Sequence, residues 1–339
     1  MIFDKETFDS VLRGAYTTYT LEDGALCTRR FSDIQRAVIE PKIPNCPHHH
    51  AGMRLDFYTD AESIEMEFRY NRLTSRIFYS VDVYEDGVMT YSYVEKNAVD
   101  HKKGKPSHTF EKKGRKRVTV FLPYAIDLAF ERIELTGESY IEPYTEYSGY
   151  VWMMGDSITH GYDAQITSQS YAAIAMRRLD LDGINQGAAG YVFDADLIDP
   201  ALFEGRKRPD IITVAYGTND WNTKTREDFC RDIDEFFARL NEVYPGIPVL
   251  VITPIFRGAH YTTSKVGTFY FARDYIASTA KKYDNNYVLD GDKMVPHIYD
   301  YFRDVRVHPN DAGFATYGAY VADAISEILG IRPRTFIRR

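Results

Sequence analysis

The sequence predicts an α/β protein in two parts, an all-β sandwich similar to a jelly roll in residues 1–145 and a parallel sheet covered by helices in residues 146–339. Up to about residue 145, hydrophobic residues recur with a period of two, as in strands with one solvated face. After about residue 147, short apolar runs alternate with segments whose hydrophobic residues are spaced three and four apart. The chain has 339 residues, 44% of them hydrophobic, which is enough for one large core or two ordinary ones.

The first part is predicted to consist of short strands joined by turns. Residues 64–70 alternate apolar and charged side chains. Further β-rich segments lie at residues 78–83, 89–94, 117–122 and 130–135. Glu85-Asp86-Gly87 separates two of these segments and carries a hairpin turn signal. Many short strands with turns between them favour a sandwich or a jelly roll.

The second part is predicted to alternate buried strands with helices. Continuous apolar runs, typical of strands buried on both faces, occupy residues 150–154, 211–215 and 248–253. Helical spacing is found at residues 171–179, 229–240, 269–283 and 314–329. This alternation predicts a parallel sheet with helices on both faces.

Composition excludes several classes of function. A net charge of −8 argues against a nucleic-acid partner, which requires a basic surface. There is no secretory signal and no apolar run near the ~18 residues of a membrane span, so we expect a cytoplasmic protein without a membrane partner. Cys27, Cys46 and Cys230 are expected to be reduced thiols. No cofactor motif is present, and Cys46-Pro47-His48-His49-His50 lacks a partner group at ligand spacing, so neither a cofactor nor a metal is expected.

Polar residues follow the predicted strands at their carboxyl ends, where open α/β sheets bind ligands. Ser157 follows the first strand, so it is a nucleophile or a simple helix cap. Gly187, in the segment 185–190, offers a backbone N–H donor or merely closes a turn. Asn219, directly after the strand at 211–215, offers an uncharged amide donor or forms an Asx turn. His308 lies just before the last helix.

In this order, Gly155-Asp156-Ser157, Gly187, Gly217-Thr218-Asn219-Asp220 and His308-Pro309-Asn310 resemble the four sequence blocks of the SGNH (GDSL-type) hydrolases. The resemblance covers about residues 148–331. It implies a flavodoxin-like, three-layer α/β/α fold that needs no metal. It also implies that Ser157 is the nucleophile and His308 the general base, with Ser157 N–H, Gly187 N–H and the Asn219 side chain forming the oxyanion hole.

One position departs from the family pattern. An aspartate normally stands three residues before the histidine, where this chain has Val305. Asp304, four residues before, completes a Ser-His-Asp triad if the loop lets its carboxylate reach the imidazole. Otherwise a backbone carbonyl orients the ring in a Ser-His dyad, and Asp300 is a more distant candidate.

The substrate is indicated by the order of the two parts. An SGNH unit preceded by a β-sandwich resembles carbohydrate esterases that remove acetyl groups, so a small-molecule or oligosaccharide ester is the expected substrate. Trp221 is a candidate pocket wall, although most such rings are core, and His260 is a candidate pocket residue or a surface histidine. The alternatives are a lipase or thioesterase on the same machinery, and a carbohydrate-binding protein with a relic hydrolase. The β-sandwich is expected to bind carbohydrate, to form a rim of the pocket, or to provide a homo-oligomer interface.

Overall fold

The computed structural model describes residues 1–73, 75–137, 140–304 and 306–334. The elements of the first part, in chain order, are α1 (Lys5–Val11), β1 (Leu12–Arg13), β2 (Thr17–Thr20), β3 (Leu26–Arg29), α2 (Asp33–Ile39), a 3₁₀ turn (Cys46–His48), β4 (Arg54–Thr59), β5 (Ser63–Leu73), β6 (Tyr79–Glu85), β7 (Val88–Glu95), β8 (Lys103–Gly104), β9 (Ser107–Thr109), β10 (Lys116–Phe121), β11 (Ile126–Thr136) and β12 (Ile141–Pro143).

These strands form two antiparallel sheets that enclose a common core. One sheet has the order β1-β4-β10-β6-β7 with β12 beside β4, and the other has the order β2-β3-β11-β5-β8 with β9 beside β5. Val81 and Val118 of the first sheet and Phe68 and Leu128 of the second are buried in the same hydrophobic core. The predicted strands and the sandwich arrangement are therefore confirmed.

The predicted hairpin lies between β6 and β7. Asp86 and Gly87 have φ values of 47° and 82°. Two consecutive left-handed residues match the right-handed twist of the flanking strands, which is why an Asp-Gly pair is favoured here.

The elements of the second part are β13 (Gly149–Gly155), α3 (Ser157–His160), a 3₁₀ turn (Thr167–Gln169), α4 (Tyr171–Leu179), β14 (Leu181–Gly187), a 3₁₀ turn (Ala195–Leu197), β15 (Ile211–Ala215), α5 (Thr218–Thr223), α6 (Arg226–Val243), β16 (Val249–Ile252), α7 (Phe269–Ala280), β17 (Asn286–Leu289), 3₁₀ turns at Gly291–Lys293 and Tyr299–Tyr301, and α8 (Asp311–Leu329). Each predicted helix is present.

The parallel sheet has the strand order β14-β13-β15-β16-β17, which is the flavodoxin order. Side chains of β13 alternate between its faces: Trp152 and Met154 lie in the core that α6 and α7 cover. Val151 and Met153 lie in the core that α4 and α8 cover. The predicted three-layer α/β/α fold is confirmed.

The strand order also positions the site. It reverses direction between β13 and β15, and ligands of such sheets bind in the crevice at the carboxyl ends of the strands on either side of that reversal. Ser157 follows β13 and Asn219 follows β15. The fold therefore places two of the predicted site residues at one crevice.

The two parts are joined by buried contacts. Phe31 and Ile39, from the first part, are buried in the core of the parallel sheet. The fully buried Arg30 guanidinium donates hydrogen bonds to the carbonyls of Asn185 and Gly187 at 2.7 and 2.9 Å. The domain boundary after residue 145 stays a prediction.

No helix within the described residues has the length and apolar character to cross a membrane.

Candidate active site

Ser157 begins the short helix α3 at the end of β13. The side chain of Asp156 caps this helix by accepting the Ile158 N–H at 2.9 Å. The Ser157 N–H lies in the first turn, where backbone N–H groups have no acceptor within the helix. Ser157 is 5% exposed and lines a surface cleft. No residue in the described ranges accepts a hydrogen bond from the Ser157 N–H, so Ser157 offers both its hydroxyl and a backbone donor at the cleft.

His308 is in contact with both Ser157 and Asp304. Its Nε2 lies 2.8 Å from Ser157 Oγ, and its Nδ1 lies 2.7 Å from Asp304 Oδ2. With the Nδ1–H donating to the carboxylate, Nε2 accepts the serine hydroxyl proton. The three side chains therefore have the connectivity of a Ser-His-Asp triad.

The loop before His308 explains how an aspartate at the fourth position reaches the ring. Asp304 Oδ1 accepts the N–H groups of Arg306, Val307 and His308 at 3.0, 2.9 and 3.1 Å. The loop is thereby folded around one carboxylate oxygen, and the other oxygen is free to face the imidazole. Val305 lies outside the described residues. The carbonyl of Asp300 accepts the Asn310 amide, and of the two candidate aspartates the structure brings Asp304 to the ring.

A second carboxylate, which sequence reasoning missed, lies on the same ring nitrogen. Asp163 Oδ2 is 3.3 Å from His308 Nδ1, and Asp163 is 3% exposed. Arg76, between β5 and β6, donates to both oxygens of Asp163 at 2.8 and 2.7 Å. The first part of the chain therefore contributes a charged residue to the site.

These charges determine the protonation of the site. Burial alone would lower the pKa of His308, but hydrogen bonds and charge from Asp163 and Asp304 outweigh it and raise that pKa to about 9. Burial opposes ionisation of both aspartates, yet the contacts with His308, the loop N–H groups and Arg76 hold their pKa values below the usual range. At neutral pH the site therefore contains two carboxylates and an imidazolium.

The prediction that Gly187 donates to an oxyanion is wrong. Its N–H donates instead to the Asn185 side-chain oxygen at 2.8 Å. A Cβ at Gly187 would lie 2.3 Å from the backbone nitrogen of His160, so this glycine allows α3 to approach the strand. Gly190 lines the cleft with a φ of 83°, and no residue in the described ranges accepts a hydrogen bond from its N–H. The structure offers the Gly190 N–H in place of that of Gly187.

Asn219 lies in the first turn of α5 and lines the cleft. Its Nδ2 donates one hydrogen bond to the Tyr191 carbonyl at 3.0 Å. A carboxamide nitrogen carries two hydrogens, so the second is available to a bound ligand. The Tyr191 contact fixes the orientation of the amide.

The cleft has a volume of about 590 Å³ and is formed by both parts of the chain. The polar and charged side chains around Ser157 and His308 are Lys42, Asn45, Ser75, Arg76, Thr218, Asn219, Asn222 and Arg257. Cys46 and Tyr162 also line it. Polar and apolar groups contribute similar shares of the lining, and the polar ones suit a hydroxylated ligand.

The structure does not bring Trp221 or His260 to this cleft. Trp221 is 2% exposed, packs edge-on against Phe269 and donates its indole N–H to the Gly267 carbonyl at 2.9 Å. His260 is also 2% exposed and lies among aromatic rings, 5.2 Å from that of Phe256 between centroids. Both predictions of a pocket role are wrong because hydrophobic packing buries these rings behind the cleft wall.

Among the residues that the structure describes, two groups of side chains have atoms close enough to share a metal ion. One is Cys46, His49 and His160, all buried, so the histidine run does find a partner in the fold. However, the buried Arg30 guanidinium donates to the carbonyls of Cys46 and His49, and its positive charge disfavours a cation there. The other group is Asp163, Asp304 and His308, where Arg76 already pairs with Asp163.

Comparison with known protein families finds a match in the second part of the chain. Residues 153–316 match the profile of the GDSL-like lipase/acylhydrolase family. No curated protein was found to match the chain by sequence. The matched residues include Ser157, Asn219 and His308.

Solved structures similar to this chain span both of its parts. A protein described as a GDSL-like lipase from Bacteroides ovatus is 18% identical, with a TM-score of 0.76, and 96% of this chain and 97% of that chain are covered. The salicylyl-acyltransferase SsfX3 from a tetracycline biosynthetic pathway is 19% identical, with a TM-score of 0.74 and coverage of 97% and 96%. A family two carbohydrate esterase from Cellvibrio japonicus is 15% identical, with a TM-score of 0.64 and coverage of 94% and 95%. At these identities the similarity shows a shared fold.

Proposed function

We propose that this chain, whose residues 153–316 match the GDSL-like lipase/acylhydrolase family, is a serine esterase that removes acetyl groups from carbohydrates. The observation that carries the proposal is the connected set Ser157–His308–Asp304, with contacts of 2.8 and 2.7 Å. A nucleophile, a base and a group that orients the base are what acyl transfer to a serine requires.

The reaction begins when neutral His308 accepts the proton of Ser157 as Oγ attacks the ester carbonyl. The resulting oxyanion is bound by the N–H groups of Ser157 and Gly190 and by the Asn219 amide. The C–O bond to the sugar then breaks, and imidazolium His308 gives its proton to the leaving alkoxide. A water molecule, deprotonated by His308, attacks the acyl-enzyme, and acetate leaves as Ser157 regains its proton.

The lining of the cleft supports a carbohydrate ester over a long-chain acyl ester. Lys42, Asn45, Asn222 and Arg257 offer hydrogen-bond donors to sugar hydroxyls. A lipase requires a largely apolar surface for its acyl chain. Carbohydrate esterases are also among the solved structures with this two-part fold. We propose imported acetylated oligosaccharides as substrates of a cytoplasmic enzyme.

An acetate-release assay tests this function. Acetylated oligosaccharides of several sugar types are incubated with the protein and with Ser157→Ala, and a series of nitrophenyl esters of increasing acyl length is measured in parallel. We expect acetate release that the variant lacks and activity that falls steeply beyond acetate. A preference for long acyl chains would instead indicate a lipase or thioesterase, and no Ser157-dependent hydrolysis would refute the esterase assignment.

A further inference from the structure

Two carboxylates from different segments of the chain face one nitrogen of His308. Asp304, on the loop that precedes the histidine, lies at 2.7 Å, and Asp163, on the turn that follows α3, lies at 3.3 Å. One N–H group cannot be donated fully to both, so the shorter contact is the hydrogen bond and the longer one is mainly an ion pair with the imidazolium. A Ser-His-Asp triad needs only one carboxylate, that of Asp304, and gives no role to Asp163.

Asp163 is held in place by its backbone conformation and by several contacts. Its φ of 74° places it in the left-handed region, which aspartate tolerates better than most residues with a Cβ. Its N–H donates to the Tyr124 hydroxyl at 3.2 Å. Arg76 binds both of its carboxylate oxygens at 2.8 and 2.7 Å, a geometry that fixes the carboxylate plane. Arg303 approaches the same carboxylate at 3.9 Å.

Arg76 comes from the antiparallel part of the chain, between β5 and β6. Its guanidinium carbon lies 5.2 Å from the centre of the Tyr162 ring, and its Nη2 lies 3.5 Å from His308 Nδ1. The positive charge of Arg76 holds Asp163 ionised while offsetting part of its attraction for the imidazolium.

We propose that Asp163 is a second positioning carboxylate for His308, and that Arg76 fixes its place, so that the active site is completed by both parts of the chain. The proposal rests on the proposed function in one respect, namely that His308 is the general base. It gives the antiparallel part a role in the chemistry, in addition to any role in binding sugar.

Several charged and titratable groups around His308 contribute to its pKa. Asp304 lies on its own loop, Asp156 lies directly before α3, and Tyr162 and Asp163 follow α3. Arg76 lies between β5 and β6, and Arg257 and Arg303 lie on loops of the parallel part. Asp163 and Arg76 carry opposite charges close to the ring. Their removal should therefore move the pKa of His308 in opposite directions.

The experiment measures the imidazole pKa of His308 by NMR titration of the substrate-free protein, and the acid limb of kcat/KM, in Asp163→Asn and Arg76→Gln. Asparagine tolerates the left-handed conformation, so Asp163→Asn removes charge with little change of shape. We expect it to lower the pKa of His308 by about one to three units and to shift the acid limb with it. Arg76→Gln should move both upwards.

Asp300→Asn is the matched control, because it removes a carboxylate from the 3₁₀ turn shortly before Asp304. Within the described part of the chain the Asp300 side chain makes no hydrogen bond, and its backbone carbonyl accepts the Asn310 amide. This control should leave the pKa of His308 unchanged. An unchanged pKa in Asp163→Asn, or shifts of the same sign in Asp163→Asn and Arg76→Gln, would overturn the proposal. The NMR titration needs no substrate. An inactive protein with the expected pKa shifts would therefore refute the proposed function but still support the positioning of His308 by Asp163.

Discussion

Asp304 Oδ2 lies 2.7 Å from His308 Nδ1, although the aspartate is one residue further from the histidine than the family pattern places it. The extra residue is accommodated because Asp304 Oδ1 accepts three backbone N–H groups of the loop. One carboxylate therefore both folds the loop and orients the base.

Replacement of Asp304 by Asn should lower kcat strongly. The amide can still accept loop N–H groups, but it cannot stabilise the imidazolium as a carboxylate does. We expect a loss of about 10²–10³ in kcat, less than the ~10⁴ seen when the sole orienting carboxylate of a serine protease is replaced, because Asp163 still faces the ring. Steady-state kinetics above the acid limb measures this loss, and an unchanged kcat would show that Asp304 does not orient His308.

The value of kcat/KM should keep increasing with pH until well above neutrality. The base must be neutral to accept the Ser157 proton, and Asp163 and Asp304 raise the pKa of His308 to about 9. Below that pH the ring is protonated, so kcat/KM should increase tenfold per pH unit until it levels off near pH 9. A profile of kcat/KM against pH checks this prediction, and a plateau already present at pH 6–7 would contradict it.

Asn219→Ala should reduce the rate without affecting the fold. Its free amide hydrogen is positioned by the contact with the Tyr191 carbonyl, and one such donor is worth ~10²–10³ in kcat. The matched control is Asn241→Ala in α6, whose amide donates to the Phe237 carbonyl away from the cleft. Comparable kinetics in the two variants would mean that Asn219 is not an oxyanion donor.

Gly187, at the end of β14, and Gly190, on the loop that follows, should respond differently to replacement by alanine. At Gly187 the new Cβ would lie 2.3 Å from the His160 nitrogen, an overlap that should lower the free energy of unfolding by about 1–3 kcal/mol. At Gly190 no atom lies within 4 Å of the new Cβ, so the cost is mainly the positive φ, about 1 kcal/mol. Urea denaturation measures both values. Equal losses of stability in the two variants would contradict the distinction made between them.

Much of this site could be predicted because the relevant residues follow strands that are neighbours in the parallel sheet. Ser157 and Asn219 come directly after β13 and β15, and the parallel order of the sheet brings those strand ends together. His308 lies just before α8. The alternation of apolar runs and helical spacing was sufficient to predict the three layers.

The remaining features depend on contacts that no spacing encodes. Gly187 and Gly190 look equivalent in sequence, and only the hydrogen bond from Gly187 to Asn185 shows which N–H is engaged. Arg76 and Asp163 are 87 positions apart and meet only because the two parts pack together. A signal for Asp163 was present in the turn Gly161-Tyr162-Asp163 after α3, but its charge partner lies in the other part of the chain.

The central claim is that His308 activates Ser157 as a nucleophile. Reaction with a serine-directed fluorophosphonate, followed by intact-protein mass spectrometry and peptide mapping, tests it most directly. We predict one adduct per chain, located on Ser157, absent from Ser157→Ala and formed at least tenfold more slowly in His308→Ala. An active protein that forms no adduct, or forms it on another residue, would contradict this account.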